Sequence, residues 1–355
     1  MNKGYVALIA VLSVLWGVMM VIDLVMSILL FKPNFSDFLN TLFPLFIIVP
    51  VPLLLVYLPG SFTAIWMGVV IVAVIVFFTF AIYKSSMKFE NSSLYRLGEF
   101  FALNYFLSIV YIELIALAGY PIVSPISNTT PFYLNFITIT NAGLYEELIS
   151  RVVYIGIPLF VYYAWSAHGK KSSSRPNKLP LYRMIWGGGY KFGKPEITLL
   201  IISSVIFGFA HVTSWDLSKV PQAALGGLLL GVLYLRFGLY ADVLLHFSID
   251  SPSLLLPLGT GDPLASGYTN SFINAAIIIA VVAGAIVLIS YIIQARAMYR
   301  SGKLSPQPIA AQASGDPSSS RKALACTKCG SSRVTFFYDD IYRCDDCGTV
   351  FKWDQ

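Results

Sequence analysis

A chain of 355 residues in which 57% are hydrophobic and only 12% charged is too apolar for a large soluble enzyme, whose charged share is about twice as high. Several of its apolar runs reach the roughly 20 residues needed to cross a hydrocarbon core about 30 Å thick, which makes it a polytopic membrane protein. The formal net charge of +6 is scattered over loops and the C-terminal tail instead of lying on one compact face, and this argues against a nucleic-acid partner.

In chain order, the first run, 5–31, is too long for a signal-peptide core and has no small-residue cleavage site, so it reads as a retained span. Asp23 within it is expected to face the bundle or the interface. Further spans are expected at 38–58, 62–83, 97–120, 131–165, 197–213, 220–237, 239–256 and 271–297. The fifth is long enough to tilt or to include an interfacial turn. The fold class expected is therefore an all-α polytopic membrane helix bundle of about eight or nine transmembrane helices, with a small β unit at the C-terminus.

If these spans alternate, the connections on one side hold Lys32, Lys84, Lys88, Arg96, Arg236, the tail, and the basic run 166–195 with Lys170, Lys171, Arg175, Lys178, Arg183, Lys191 and Lys194. The other side holds only Lys3 and Lys219. Cytoplasmic loops carry the excess of Lys and Arg, so the N-terminus is expected outside and the tail in the cytoplasm. The run 166–195 also contains Leu181, Tyr182, Ile185 and Trp186, which fits either an interfacial re-entry along the inner leaflet or a solvated loop. Asn128-Thr129-Thr130 has the form of a glycosylation acceptor.

The stretch Tyr145-Glu146-Glu147-Leu148-Ile149-Ser150-Arg151 places three ionisable groups inside an apolar run, each costing about 2.5–3.5 kcal/mol at the bilayer centre. Glu147 and Arg151 stand four apart with the acid first, the favourable order for an ion pair along a helix. Glu146 points roughly 100° away from that pair, has no local partner, and is the candidate acid or base. Of the three histidines, His168 borders the basic loop, while His211 ends the sixth expected span. His246 and Asp250 share one face of the eighth. Either intramembrane histidine alone is equally explained as a helix-packing hydrogen bonder. Together with the glutamates they form the set a hydrolytic site needs, because polar groups inside spans face one another and not lipid.

Glu-Glu-x-x-x-Arg, then Phe-x-x-x-His, then His-x-x-x-Asp, in that order on successive spans, resembles the signature of the CAAX protease and bacteriocin-processing family of intramembrane endopeptidases, which includes the type II CAAX prenyl proteases. The resemblance runs from Glu146 to Asp250. It implies that Glu146 and His211 hold and activate the attacking water, that His246 and Asp250 stabilise the oxyanion, and that Glu147, Arg151 and Phe207 support the site. The prenyl proteases carry Asn where this chain has Asp250. That implies either a protonated Asp250 or an orienting role that fixes the tautomer of His246, and it leaves a prenylated substrate open. The loop 166–195 separates the first two motifs widely, and the charge-derived topology puts His211 towards the outer end of its span, whereas the resemblance implies a site open to the cytoplasm.

The implied function is an intramembrane endopeptidase that cleaves a membrane-associated protein or peptide with water activated by glutamate and histidine. A variant in which Glu146, His211, His246 and Asp250 hold a catalytic metal stays open, although no His-Glu-x-x-His helix is present and the resemblance favours a metal-free mechanism. From other classes, a non-proteolytic scaffold or immunity-type protein would keep the same network for packing and recruit a partner through the tail. A proton-coupled transporter would show an inverted repeat, and none is visible.

Beyond the last span, residues 301–324 are rich in Ser, Pro, Ala and Gln and read as a flexible linker. All four cysteines follow, as Cys326-Thr327-Lys328-Cys329-Gly330 and Cys344-Asp345-Asp346-Cys347-Gly348. Two Cys-x-x-Cys-Gly knuckles supply four thiolates to a tetrahedral Zn²⁺, and the glycines accept the tight turns. The residues between them, with Val334, Phe336, Tyr338, Ile341 and Tyr342, suit a short hairpin. This resembles a rubredoxin-like zinc ribbon, a unit that needs its structural zinc to fold and more often binds a protein partner than performs chemistry. Two disulfides are the alternative, disfavoured on a reducing side of the membrane. The expected domains are the bundle at 1–300 with its protease-like core at about 97–260, the linker, and the ribbon at 325–355.

Overall fold

The computed structural model describes residues 3–49, 51–85, 89, 92–122, 131–168, 181–213, 215–251 and 263–300, and in the tail 325–331, 334–338, 341–344, 346–347 and 349–352. Apolar runs without internal proline form long helices: α1 (Lys3–Phe31), α3 (Gly60–Ser85) and α4 (Ser93–Leu117). The second expected span does not. Residues 38–58 contain prolines at 44, 50 and 52 among β-branched residues, and each proline removes a helical donor. They fold as the end of a short helix, α2 (Phe35–Asn40), and an antiparallel hairpin of β1 (Phe43–Val49) and β2 (Val51–Leu58).

The fifth expected span is one long helical rod in three parts. It begins as α5 (Phe132–Glu147), widens into π-helical turns at Leu148–Gly156, and continues as α6 (Ile157–His168). The wide turns run up to Pro158, which has no N–H to return to the preceding turn. After it come α7 (Tyr182–Trp186), α8 (Lys194–Ala210) with a 3₁₀ turn at His211–Thr213, α9 (Lys219–Arg236), α10 (Leu239–Asp250) and α11 (Pro263–Arg300). Among the described residues five helices are long and apolar enough to cross a membrane: α1, α3, α4, Tyr133–Ser166 and Ser271–Arg296. The chain is a membrane protein of helical class. The expected spans at 197–213, 220–237 and 239–256 are helices of 17, 18 and 12 residues. At 1.5 Å per residue the last is about 18 Å long, well short of the hydrocarbon thickness.

That short helix is the centre of the bundle. All ten residues from Leu239 to Ser248 are buried on every side of α10, with α1, α3, α4, α5 and α9 packed around it. Gly143 of α5 makes the approach close, since a Cβ there would meet Phe247 at 3.1 Å. Trp16 of α1 donates its indole N–H to Ser248 Oγ at 2.8 Å. Residues 181–193 return towards the bundle as α7 and a glycine turn, in which Gly188, Gly189 and Tyr190 donate backbone N–H groups to Tyr234, Arg236 and Leu235 at the end of α9. Gly188 sits at φ +79, a conformation open to glycine. Leu181, Tyr182, Ile185 and Trp186 are exposed or half-exposed there. The rest of that basic run, 169–180, and the Asn128–Thr130 acceptor lie outside the described residues.

By its internal contacts the chain divides into Met1–Ser290 and Tyr291–Gln355. The second unit carries a three-stranded antiparallel sheet, β3 (Val334–Tyr338), β4 (Ile341–Cys344) and β5 (Val350–Lys352), in that order. The expected linker, 301–324, lies outside the described residues.

Candidate active site

Three elements converge on α10 and bring the ionisable residues of the membrane unit together. Glu147 and Arg151 pair across the start of the π-helical turns, with Arg151 Nε donating to Glu147 Oε2 at 2.7 Å and both side chains fully buried. The other carboxylate oxygen, Glu147 Oε1, lies 2.7 Å from His246 Nδ1. Arg151 also donates through Nη1 to Ser203 Oγ of α8 at 3.2 Å, and that hydroxyl donates to Ser150 O at 2.6 Å. A buried ion pair is sustained by further hydrogen bonds of this kind, although Arg151 Nη2 is buried without one.

Glu146, one residue earlier, faces elsewhere. Its Oε2 stands 3.9 Å from His211 Nε2 and 4.0 Å from His246 Nε2, and its side chain is 31% exposed against 0% for Glu147. His211 directs Nδ1 at Phe207 O, 2.8 Å away. A carbonyl only accepts, so this nitrogen carries the proton and Nε2 of the neutral ring is an acceptor turned towards Glu146. Asp250 Oδ2 lies 3.3 Å from His246 Nε2, and its side chain is 32% exposed. The spacing of Phe207 and His211 on α8 stacks their rings edge-on at 4.9 Å, while the same phenyl lies 5.8 Å from His246 and carries the Arg151 guanidinium over its face at 5.4 Å. Phe207 thus separates the buried pair from the open side of the site.

The seven membrane residues proposed for the site stand in one cluster, while Asp23 is buried in the bundle and accepts from the Ser251 hydroxyl. His168 has no described side chain. Sequence reasoning missed Asp242, which is fully buried with Oδ2 3.9 Å from Arg151 Nε. The signal was available: Asp242, His246 and Asp250 recur every four residues, on one face of α10. It also missed Ser203, which nothing in its serine-rich surroundings marks.

This arrangement has a counterpart among known families. Residues 128–251 match the type II CAAX prenyl endopeptidase, Rce1-like family. The Rce1-like segment runs from just before α5 to the end of α10 and contains every residue of the cluster. It leaves out α1–α4, α11 and the tail. The family is one of intramembrane CAAX proteases, so the segment is protease-like. No curated protein and no solved structure matches the chain.

The tail holds a second constellation. The ligand atoms of Cys326, Cys329, Cys344 and Cys347 all lie within 4.8 Å of one another, with Sγ pairs at 3.6 Å (Cys326 and Cys347) and 3.5 Å (Cys329 and Cys344). Four sulfurs about 2.3 Å from one tetrahedral Zn²⁺ stand about 3.8 Å apart, so the cluster fits a metal ion. Lys328 N–H points at Cys326 Sγ, 3.4 Å away, and Gly330 turns the first knuckle at φ +73. The Thr349 hydroxyl and N–H favour the Cys347 thiolate and hold that thiol down to about 6. Although the Ser331 N–H favours the Cys329 thiolate, its bonds to Cys347 and Cys344 push this thiol up to about 12. Such crowding is what a bound cation relieves. In the membrane unit His246 directs Nδ1 at Glu147 and Nε2 at Asp250, and His211 Nδ1 is held by the Phe207 carbonyl.

Proposed function

We propose that the membrane unit is an intramembrane endopeptidase in which Glu146 is the general base, His211 its partner in holding water, and His246 the oxyanion donor, with Glu147, Arg151 and Phe207 supporting them and Asp250 beside His246. The observation that carries this reading is the placing of Glu146 Oε2 at 3.9 and 4.0 Å from two imidazole nitrogens, on the open side of an otherwise buried network. Gaps of that size between polar atoms are bridged by water. A water between Glu146 and the bare Nε2 of His211 donates both protons and keeps a lone pair for attack. As its oxygen bonds to the scissile carbonyl carbon, Glu146 takes one proton; as the C–N bond breaks, Glu146 passes that proton to the leaving amine. The developing oxyanion is met by His246. Glu147 Oε1 orients the His246 ring through Nδ1, a task that was one of the two alternatives open for Asp250 in the sequence.

The substrate on this reading is a membrane-associated protein or peptide. The second constellation is a zinc ribbon with one structural Zn²⁺ held by four thiolates, serving to bind a protein partner, and its place on this reading is the cytoplasm, where thiols stay reduced. The test is an endogenous membrane protein that is cut in wild-type cells and accumulates uncut in cells carrying Glu146→Gln. A chain that merely scaffolds would leave that protein's processing unchanged. A membrane-impermeant thiol reagent applied to intact cells is expected to miss all four cysteines even after zinc is stripped; labelling would overturn the cytoplasmic placement.

A further inference from the structure

On the hydrolytic reading, His246 has to offer an N–H from Nε2, and the contacts of its ring restrict how it can. Nδ1 faces Glu147 Oε1 at 2.7 Å, and an ionised carboxylate only accepts, so Nδ1 carries a proton. A neutral imidazole has one N–H. A neutral His246 would therefore present a bare Nε2, unable to donate to an oxyanion. A donor His246 must be protonated on both nitrogens, and a cation in so dry a place needs a compensating charge.

Glu147 does not supply that charge alone, because Arg151 already meets it at 2.7 Å. Asp242 can. It sits one turn before His246 on α10, is fully buried, and approaches the same guanidinium at 3.9 Å. Its Oδ1 accepts from the Val243 N–H at 2.9 Å. In its ionised form its Oδ2, like Arg151 Nη2, is buried with no hydrogen-bond partner, and it adjoins the Glu147 carboxylate. With Asp242 ionised, the core holds two carboxylates, one guanidinium and one imidazolium, and is neutral. Without it, Glu147 and Arg151 cancel and leave no charge for an imidazolium.

Other charged and titratable groups also act around the ring. Glu146 of α5 and Asp250 of α10 face Nε2 at 4.0 and 3.3 Å, and both are about a third exposed. His211, in the 3₁₀ turn after α8, faces Glu146. Lys219 at the start of α9 acts on Asp250 and Glu146, and Tyr105 of α4 lies in the field of Asp250 and of Asp23 of α1. Asp250 is the acceptor that the oxyanion replaces, so it cannot be the standing counter-charge.

We propose that Asp242 is a positioning residue for the reaction: with Glu147 it supplies the two buried negative charges that balance Arg151 and an imidazolium His246, keeping Nε2–H available to the oxyanion. This rests on the hydrolytic reading of the site. The experiment is ¹⁵N NMR of the histidine rings in the full-length protein, beside cleavage kinetics, for wild type and Asp242→Asn. In the wild type at neutral pH both nitrogens of His246 should carry the imidazolium signature. In Asp242→Asn the ring should become neutral with the proton on Nδ1, and kcat should fall by about 10²–10³, the loss of one oxyanion donor, with KM within about twofold. A wild-type His246 that is neutral overturns the proposal even if Asp242→Asn does not fold. An unchanged signature or unchanged kcat in a folded Asp242→Asn overturns it too. Cleavage by Glu146→Gln would remove the hydrolytic reading and the donor role together. Loss of cleavage in Glu146→Gln, with an imidazolium persisting in Asp242→Asn, would remove this inference alone.

Discussion

Two layers of polar side chains meet at His246, and they differ in one respect that decides their work. The dry layer, Glu147, Arg151 and Asp242, is 0% exposed, while in the open layer Glu146, His211 and Asp250 are 31%, 18% and 32% exposed. Adjacent glutamates fall into different layers because one residue turns a helix by about 100°. Losing a partner from the dry layer strands a charge where no water can reach it, so the cost falls on stability. Losing a group from the open layer leaves the packing intact and, on the hydrolytic reading, removes a participant in the reaction. On the hydrolytic reading, the comparison teaches that burial, more than residue type, separates the structural carboxylate from the reactive one.

The sharpest way to break this division is at Glu146. Glu146→Gln is expected to lower cleavage by about 10²–10⁴, the contribution of a positioned general base, with an unchanged melting temperature. His211→Ala should follow it in the same assay. Next in size, Glu147→Ala and Arg151→Ala should each destabilise the folded protein by about 3–5 kcal/mol, seen as lost yield and a lower melting temperature in detergent. Equal stability for all four variants would erase the distinction between the layers. Gly143→Ala tests the packing that brings the layers to α10. Its Cβ would press on Phe247 at 3.1 Å, so thermal unfolding should report a loss of about 1–3 kcal/mol. The smallest effect is expected from the tail. The purified chain should carry one Zn²⁺, Cys344→Ser with Cys347→Ser should carry none, and both should cleave at the same rate. Zinc retained by the double variant, with cleavage reversibly stopped by chelation, would move the metal into the membrane site.

Much of the site was legible because helical spacing is a local property. The Glu147 and Arg151 pair, the shared face of His246 and Asp250, and the stacking of Phe207 on His211 all follow from residues four apart. The cysteine cluster follows likewise from two short turns. Asp242 was overlooked although it obeys the same spacing, since an acid four residues before a histidine is meaningless until the helix is known to be buried all round. The hairpin at 43–58 was overlooked because hydropathy alone does not distinguish a helical span from apolar strands, and there the prolines decide.

The sequence by itself determined that this is a helical membrane protein, which polar residues gather in its protease-like segment, and which four thiolates gather in its tail. Those are consequences of composition and of short-range periodicity. Only the tertiary structure decided that Glu146 faces two imidazoles, that Glu147 and not Asp250 holds Nδ1 of His246, and that Asp242 joins Arg151. Each of these links elements far apart in the chain, or depends on which side of a helix is shut off from water. The physical reason is that burial and cross-helix distance are set by packing, through contacts such as Gly143 on Phe247 and Trp16 on Ser248, which no local pattern encodes.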